Sequence, residues 1–556
     1  MEAKAHSSAA ADAFDVIVVG AGFAGLYMLY RLRGMGLTAR VIEAGADVGG
    51  TWYWNRYPGA RCDVESMSYS YSFSDELQQE WDWTERFAAQ PEILHYINHV
   101  ADRFDLRRDI AFETRVTSAR FDEAEGGWRV ETDRGDELRA KYCIMATGCL
   151  SAPKRPEIDG MDAFQGAVYH TGEWPHEPVD FSGQRVAVIG TGSSGIQSIP
   201  VIAGEAAHLT VFQRTPAFSV PAWNAPLSDD EAAEWKANYP AVRAKERRTH
   251  SGFHNEGGHP AAADLSDQER QEVLEGQWNK GGLLMWNVFS DLMMSRDANA
   301  CAAAFVHDKI RALVKDAKTA ELLCPKSFPM GAKRLCVDTN YYETFNRDNV
   351  ALVDIVDKPI ERLTQRGLLH DGTEHEFDAI VFATGFDAMT GALLKMDIRG
   401  RDGVRLDEKW HAGPRTYLGI AMAGFPNLFT ITGPGSPSVM SNVMVALEQH
   451  VDWICDCLMH LREQGFDTIE ATVEAEDKWV GHVNEVTERT LYTEGNSWYL
   501  GANVPGKPRV FMPYIGGSGN YRKICNEVAE KNYEGFVLNR WKEGGSAPTD
   551  AAAANA

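Results

Sequence analysis

Phe14–Gly25 reads FDVIVVGAGFAG, and this stretch sets the frame for the whole chain. Its β-branched run closes on a glycine, the pattern of a parallel strand buried on both faces. Gly20, Gly22 and Gly25 form Gly-x-Gly-x-x-Gly, LYMLYRLRGMG follows with helical spacing, and ARVIEAG supplies a second strand carrying Glu43. Strand, glycine turn, helix, strand and acid together specify a dinucleotide-binding unit. The glycines let the backbone approach a pyrophosphate seated on the helix N-terminus. Glu43 can accept hydrogen bonds from a ribose diol.

The unit recurs with one telling change. RVAVIG enters a second turn, Gly190, Thr191, Gly192, Ser193, Ser194 and Gly195, followed by a helix and the strand HLTVFQR. That strand ends on Arg214 and Thr215, where the first ended on Glu43. A carboxylate repels a ribose 2′-phosphate, whereas a guanidinium pairs with it. The second unit therefore asks for NADPH. The expected fold class is α/β, two Rossmann-like domains with a helical insertion in the NADP domain.

The bulk properties agree with a soluble enzyme. A chain of 556 residues predicts roughly two to four domains. Its net charge of -24 disfavours nucleic acid, which needs a basic face. No run approaches the roughly 18 apolar residues of a membrane span, and MEAKAHSSAAADAFD has neither the basic nor the apolar region of a secretory signal. Nine scattered cysteines read as reduced thiols of a cytoplasmic protein. No obligate protein partner is evident.

Two further stretches carry the chemistry. Gly49–Asp63, GGTWYWNRYPGARCD, is aromatic-rich with a Tyr-Pro-Gly turn, and from composition alone it could be a packed loop under the sheet. Phe164–Trp174, FQGAVYHTGEW, lies between the two glycine turns. Phe164, Gly166, His170 and Trp174 spell Phe-x-Gly-x-x-x-His-x-x-x-Trp, which resembles the fingerprint of type I Baeyer–Villiger monooxygenases. Gly49–Asp63 resembles the second signature of that family, Gly-Gly-x-Trp-x-x-x-x-Tyr-Pro-Gly-x-x-x-Asp, and matches at every fixed position. The resemblance spans roughly residues 14–540.

The resemblance implies FAD in the first unit, along Gly50, Thr51, Trp52 and Asp63, with Tyr69 and Val116 touching the flavin and its adenine. From the residues alone, Tyr69 or Val116 could equally be core. In GAKRLCVDTN, Lys333 and Arg334 could be a loop ion cluster; the resemblance sends Lys333 to the NADP 2′-phosphate and Arg334 over the flavin. Trp498, in NSWYLGANVPGKPR, is either a packed tryptophan or a lid over NADP and substrate. The implied reaction is NADPH- and dioxygen-dependent conversion of ketones to esters or lactones through a C4a-peroxyflavin, with sulfoxidation as a side activity. Arg334 would favour the anionic peroxide and stabilise the oxyanion, with Asp63 holding it in place. His170 is read as a structural coupling residue at the domain junction. No metal is needed, because the cofactor supplies the hard chemistry. GPGSPSV, RFDLRRDI and PEILHYINHVADRFD look most like the steroid and phenylacetone branch, which implies bulky cyclic, aryl or steroid-like ketones.

The expected organisation is a FAD domain at 14–150 and 388–540, a NADP domain at 151–224 and 327–387, and a helical insertion at 225–326. Residues 1–13 and 541–556 are expected to be disordered tails. Within the insertion, LLMWNVFSDLMM is either helix core or tunnel lining.

Overall fold

The computed structural model describes residues 12–541. The expected tails thus fall almost wholly outside the described residues, and both inner boundaries need correction. The first strand begins at Asp12, two residues early, pairing Ala13 with Arg139. At the other end the Trp541 amide donates to Asp467 at 3.0 Å and its ring meets Phe121 edge-on.

The first strand, Asp12–Val19, lies between parallel partners Ala39–Ile42 and Glu137–Met145. Val16, Ile17 and Val18 are fully buried, as a central strand with both faces covered requires. Val116–Asp122, Gly127–Thr132 and Glu137–Met145 form the antiparallel meander. The last third of the chain adds two parallel strands, Asp397–Arg399 beside Val116–Asp122 and Leu428–Thr430 beside Glu137–Met145. A separate five-stranded parallel sheet has the order Val350–Asp354, His208–Gln213, Arg185–Ile189, Ala379–Phe382, Ala167–His170.

Between them the chain passes through helices Asp229–Glu246, Asp267–Lys280, Arg296–Leu313 and Ala317–Leu323. Ser228 and Ser266 start two of these with reciprocal capping boxes, which satisfy helix N–H groups that would otherwise lack partners. Ser219–Pro221 and Cys336–Asp338 pair in parallel at the entry and exit of this helical segment. The Met-rich stretch packs into the core, with Val288, Phe289 and Leu292 buried, but not as an α-helix. Leu283–Asn287 forms a 3-10 turn with Leu283 and Met285 buried, while Trp286 and Asn287 line a cavity of about 30 Å³ with Met440 and Ser518.

Helix Val443–Gln464 packs against helix Phe23–Gly34, with the Tyr27 hydroxyl donating to Asp452 at 2.7 Å. On its inner face His450 is fully buried and fixes the turn that begins at Thr432. The Thr432 amide donates to Nδ1 at 3.0 Å, and Nε2 meets the Tyr521 hydroxyl at 2.8 Å. Thr432 sits at φ 55, a left-handed conformation costly for a β-branched residue. Burial draws the His450 pKa down to about 3 from 6.5. Stability from this neutral imidazole is therefore complete above pH 6.5 and is lost as pH falls toward 3. By pH 5 the loss is about 2 kcal/mol. The melting temperature should fall between pH 7 and pH 5, and His450→Phe should flatten that slope while lowering stability at pH 7. An equal slope in both proteins would remove His450 as its cause.

Candidate active site between two glycine cradles

Helix Phe23–Gly34 starts at Gly22 with no side-chain cap, so its first amides are open to an acceptor. A methyl group on Gly20 would sit 2.6 Å from the Ala146 carbonyl oxygen, and one on Gly25 only 1.9 Å from that of Gly20. The buried Glu43 carboxylate accepts the amides of Ala21 and Gly45, both at 2.7 Å, which binds its strand end to the glycine turn. Burial raises its pKa, and those two amides oppose the rise.

The aromatic signature folds onto this cradle. A Cβ on Gly50 would lie 2.9 Å from Gly22 Cα, so the two turns touch backbone to backbone. Thr51–Trp54 is a short helix, not a loop. The Trp52 indole donates to the Tyr69 hydroxyl at 3.1 Å, and Tyr69 meets Phe23 edge-on at 5.5 Å. Val116 is buried, two residues beyond Thr114, whose amide donates to the Glu43 carbonyl at 2.9 Å.

Helix Ser193–Glu205 opens the second cradle at Gly192, again without a side-chain cap. Methyls on Gly190 and Gly195 would strike carbonyl oxygens of Ala383 and Gly190 at 2.5 and 2.2 Å. Ser193 and Ser194 occupy the first turn, and Thr191 Oγ1 donates to the Thr215 carbonyl at 3.0 Å, joining turn to strand end. Arg214 is exposed, with no hydrogen bond or ion pair among the described residues. The Lys333 ammonium lies 4.6 Å above the Phe328 ring and pairs with no carboxylate among the described residues. Burial, then the neighbouring Arg214, brings the Lys333 pKa down to about 8. Two cations held together without an anion fit a dianionic phosphate.

That placement gives NADPH binding a pH dependence. Lys333 is charged below about pH 8 and loses its charge as pH rises through that value. A bound phosphate favours the charged form, so binding at pH 8.5 should take up a proton. Calorimetry in buffers of different ionisation enthalpy reads this directly. Lys333→Arg should bind without proton uptake, and equal uptake by both proteins would exclude Lys333.

Four segments converge between the cradles. Arg334 Nη2 donates to Asp63 Oδ2 at 3.3 Å and Nη1 to the Val439 carbonyl at 3.2 Å. Gln197, on the helix of the second cradle, donates to Asp63 Oδ1 at 3.3 Å and to the Arg61 carbonyl at 3.1 Å. The Tyr57 hydroxyl donates in turn to Gln197 Oε1 at 2.8 Å. Burial alone would lower the Arg334 pKa, but the Asp63 carboxylate raises it above the ordinary value. Burial raises the Asp63 pKa against the pull of Arg334. The result is a fixed cation held by a largely buried carboxylate.

Trp498 is half-buried, packed on Tyr499 with ring centroids 4.3 Å apart and beside Val439 and Met512. His170 and Arg334 share no hydrogen-bond partner among the described residues. Its Nδ1 accepts the Gly172 amide at 3.0 Å, and Nε2 lies 3.1 Å from both the Lys154 carbonyl and Thr384 Oγ1. Burial lowers its pKa, so the ring is neutral with its proton on Nε2. Both nitrogens are used, and the ring ties the strand end to the segments at Lys154 and Thr384. Phe164 and Trp174 are buried, Trp174 stacking on Tyr169 at 5.1 Å. A Cβ on Gly166 would meet the Phe164 ring at 2.4 Å. Sequence reading missed Gln197, although its place one helical turn beyond Ser193 puts it on the face above the cradle.

One uncapped cradle ending on a buried carboxylate, and a second ending on unpaired cations, define an oxidoreductase that handles two nucleotides. Residues 17–236 match the family model described as pyridine nucleotide-disulphide oxidoreductase. A Baeyer–Villiger monooxygenase of Pseudooceanicola batsensis is 45% identical over 95% of this chain and 97% of its own. A phenazine N-monooxygenase of Lysobacter antibioticus is 43% identical over 95% and 97%. The solved structure described as oxidized steroid monooxygenase bound to NADP superposes with a TM-score of 0.92 at 53% identity, covering 95% of this chain and all of that one. The chain belongs to the Baeyer–Villiger monooxygenase family.

Proposed function

We propose that this enzyme uses NADPH and dioxygen to convert bulky cyclic, aryl or steroid-like ketones to esters or lactones, oxygenating sulfides as a side activity. The 53% identity to a steroid monooxygenase supports the bulky end of the ketone range. When bound, FAD supplies the redox step with NADPH and the activation of dioxygen.

The chain's own residues do the rest. Gly20, Gly22 and Gly25 clear the way for the FAD pyrophosphate, with Glu43 at its ribose, while Gly50, Thr51, Trp52, Tyr69 and Val116 wall the same pocket. Gly190, Gly192, Ser193, Ser194, Gly195 and Thr215 receive the NADP pyrophosphate side, and Arg214 and Lys333 receive its 2′-phosphate. Arg334 presents positive charge where a ketone oxygen gains negative charge on attack, and needs no reorganisation to do so. Asp63 fixes its position, and Trp498 covers the nucleotide and substrate. The FAD domain comprises 12–150 and 388–541, the NADP domain 151–224 and 327–387, and the helical insertion 225–326.

The single observation that carries this reading is the Asp63–Arg334 pair, tied to the second cradle through Gln197. Mass spectrometry after incubation with NADPH, dioxygen and phenylacetone, cyclohexanone, progesterone or thioanisole tests it. Esters or lactones one oxygen heavier than their ketones are expected. The kinship with a phenazine N-monooxygenase favours one alternative, oxygenation of nitrogen or sulfur. Sulfoxide with every ketone unchanged would establish that alternative instead.

A further inference from the structure

Tyr499 is fully buried, and its hydroxyl has no hydrogen-bond partner among the described residues. A buried unpaired hydroxyl is costly, and native interiors rarely keep one without a use. Its ring is locked. Trp498 packs on one side at 4.3 Å, Phe511 stands edge-on at 6.0 Å, and the Met512 amide donates to the Tyr499 carbonyl at 2.9 Å. The phenol faces the Arg334 guanidinium without a bond of good geometry.

Arg334 has five N–H groups, of which Asp63 and Val439 each occupy one. The remaining ones have no partner among the described residues, and the phenol is their neighbour. We infer that Tyr499 is a second donor to the ketone oxygen, completing with Arg334 a two-donor oxyanion site. This rests on the ketone-oxygenating reading above. As the nucleophilic oxygen adds to the carbonyl carbon, the carbonyl π pair moves onto its oxygen. The pair returns when the neighbouring carbon migrates and the O–O bond breaks. Both donors hold that charge, and no proton leaves either. Burial pushes the Tyr499 pKa up to about 12, against the pull of Arg334, so the phenol acts as donor rather than base.

The test compares wild-type and Tyr499→Phe holoenzymes with the best ketone from the panel. The variant should reduce its flavin with NADPH at a rate within twofold of wild type and melt no lower, since it loses only an unpaired hydroxyl. Its ester formation should fall about 10²-fold, the scale of losing one oxyanion donor, with hydrogen peroxide rising to match. Ester formation within twofold of wild type overturns the proposal. So does a parallel fall in flavin reduction and ester, the mark of a structural role. Wild type that forms no ester from any ketone would instead strike the functional reading, a result visible before the variant is made.

Discussion

Arg334→Ala should lower ester formation at least about 10²-fold while flavin reduction by NADPH persists. The guanidinium is the fixed cation at the meeting of the two cradles, and its geometry is held by Asp63 at 3.3 Å and the Val439 carbonyl at 3.2 Å. Removing it takes away charge stabilisation of the developing oxyanion and strands the largely buried Asp63 carboxyl, whose pKa should then rise further. Arg334→Lys should recover only part of the rate, because an ammonium cannot reach both Asp63 and Val439 as a fork does. Asp63→Asn should sit between the two variants, leaving a partner without its charge. Stopped-flow reduction alongside product quantification separates the steps. Ester formation within tenfold of wild type in Arg334→Ala would remove this residue from the chemistry.

The Arg214→Ala, Lys333→Ala double variant should bind NADPH more weakly by at least about 2 kcal/mol, roughly 30-fold in KM, and bind NADH almost as before. Arg214 is exposed, so its share is reduced by solvent, while the half-buried Lys333 contributes more of the total. The same variant should melt no lower than wild type without nucleotide, because it removes two cations that repel each other and pair with no carboxylate among the described residues. Steady-state KM values for both nucleotides decide the matter. A parallel rise for NADPH and NADH would mean that the pair supports the cradle generally and does not read the 2′-phosphate.

The nucleotide units were legible because their information is contiguous. Close backbone approach at Gly25 and Gly195 leaves no room for a side chain, so the spacing of small residues is visible in the chain itself. Glu43 and Arg214 stand at equivalent strand ends, and their opposite charges announce different ribose partners without reference to any distant residue. Elsewhere, local pattern misled. LLMWNVFSDLMM has the composition of a core helix but forms a 3-10 turn from Leu283. Two glycines at positive φ, Gly281 and Gly282, precede it. The terminal boundaries moved because Asp12 and Trp541 gain sheet pairing and packing that composition does not reveal.

By itself, then, the sequence determined two nucleotide cradles, the sign of the charge at each strand end and a family resemblance carried by two short signatures. These follow from local sterics and local electrostatics, which act over a few residues. Only the tertiary structure decided that Arg334 donates to Asp63, 271 positions away, that Gln197 and Val439 complete the cluster, and that the Tyr499 hydroxyl is buried beside it unpaired. Those relations arise from the packing of segments remote in the chain. Whether a polar atom gains a partner or is left without one depends on what folding brings against it.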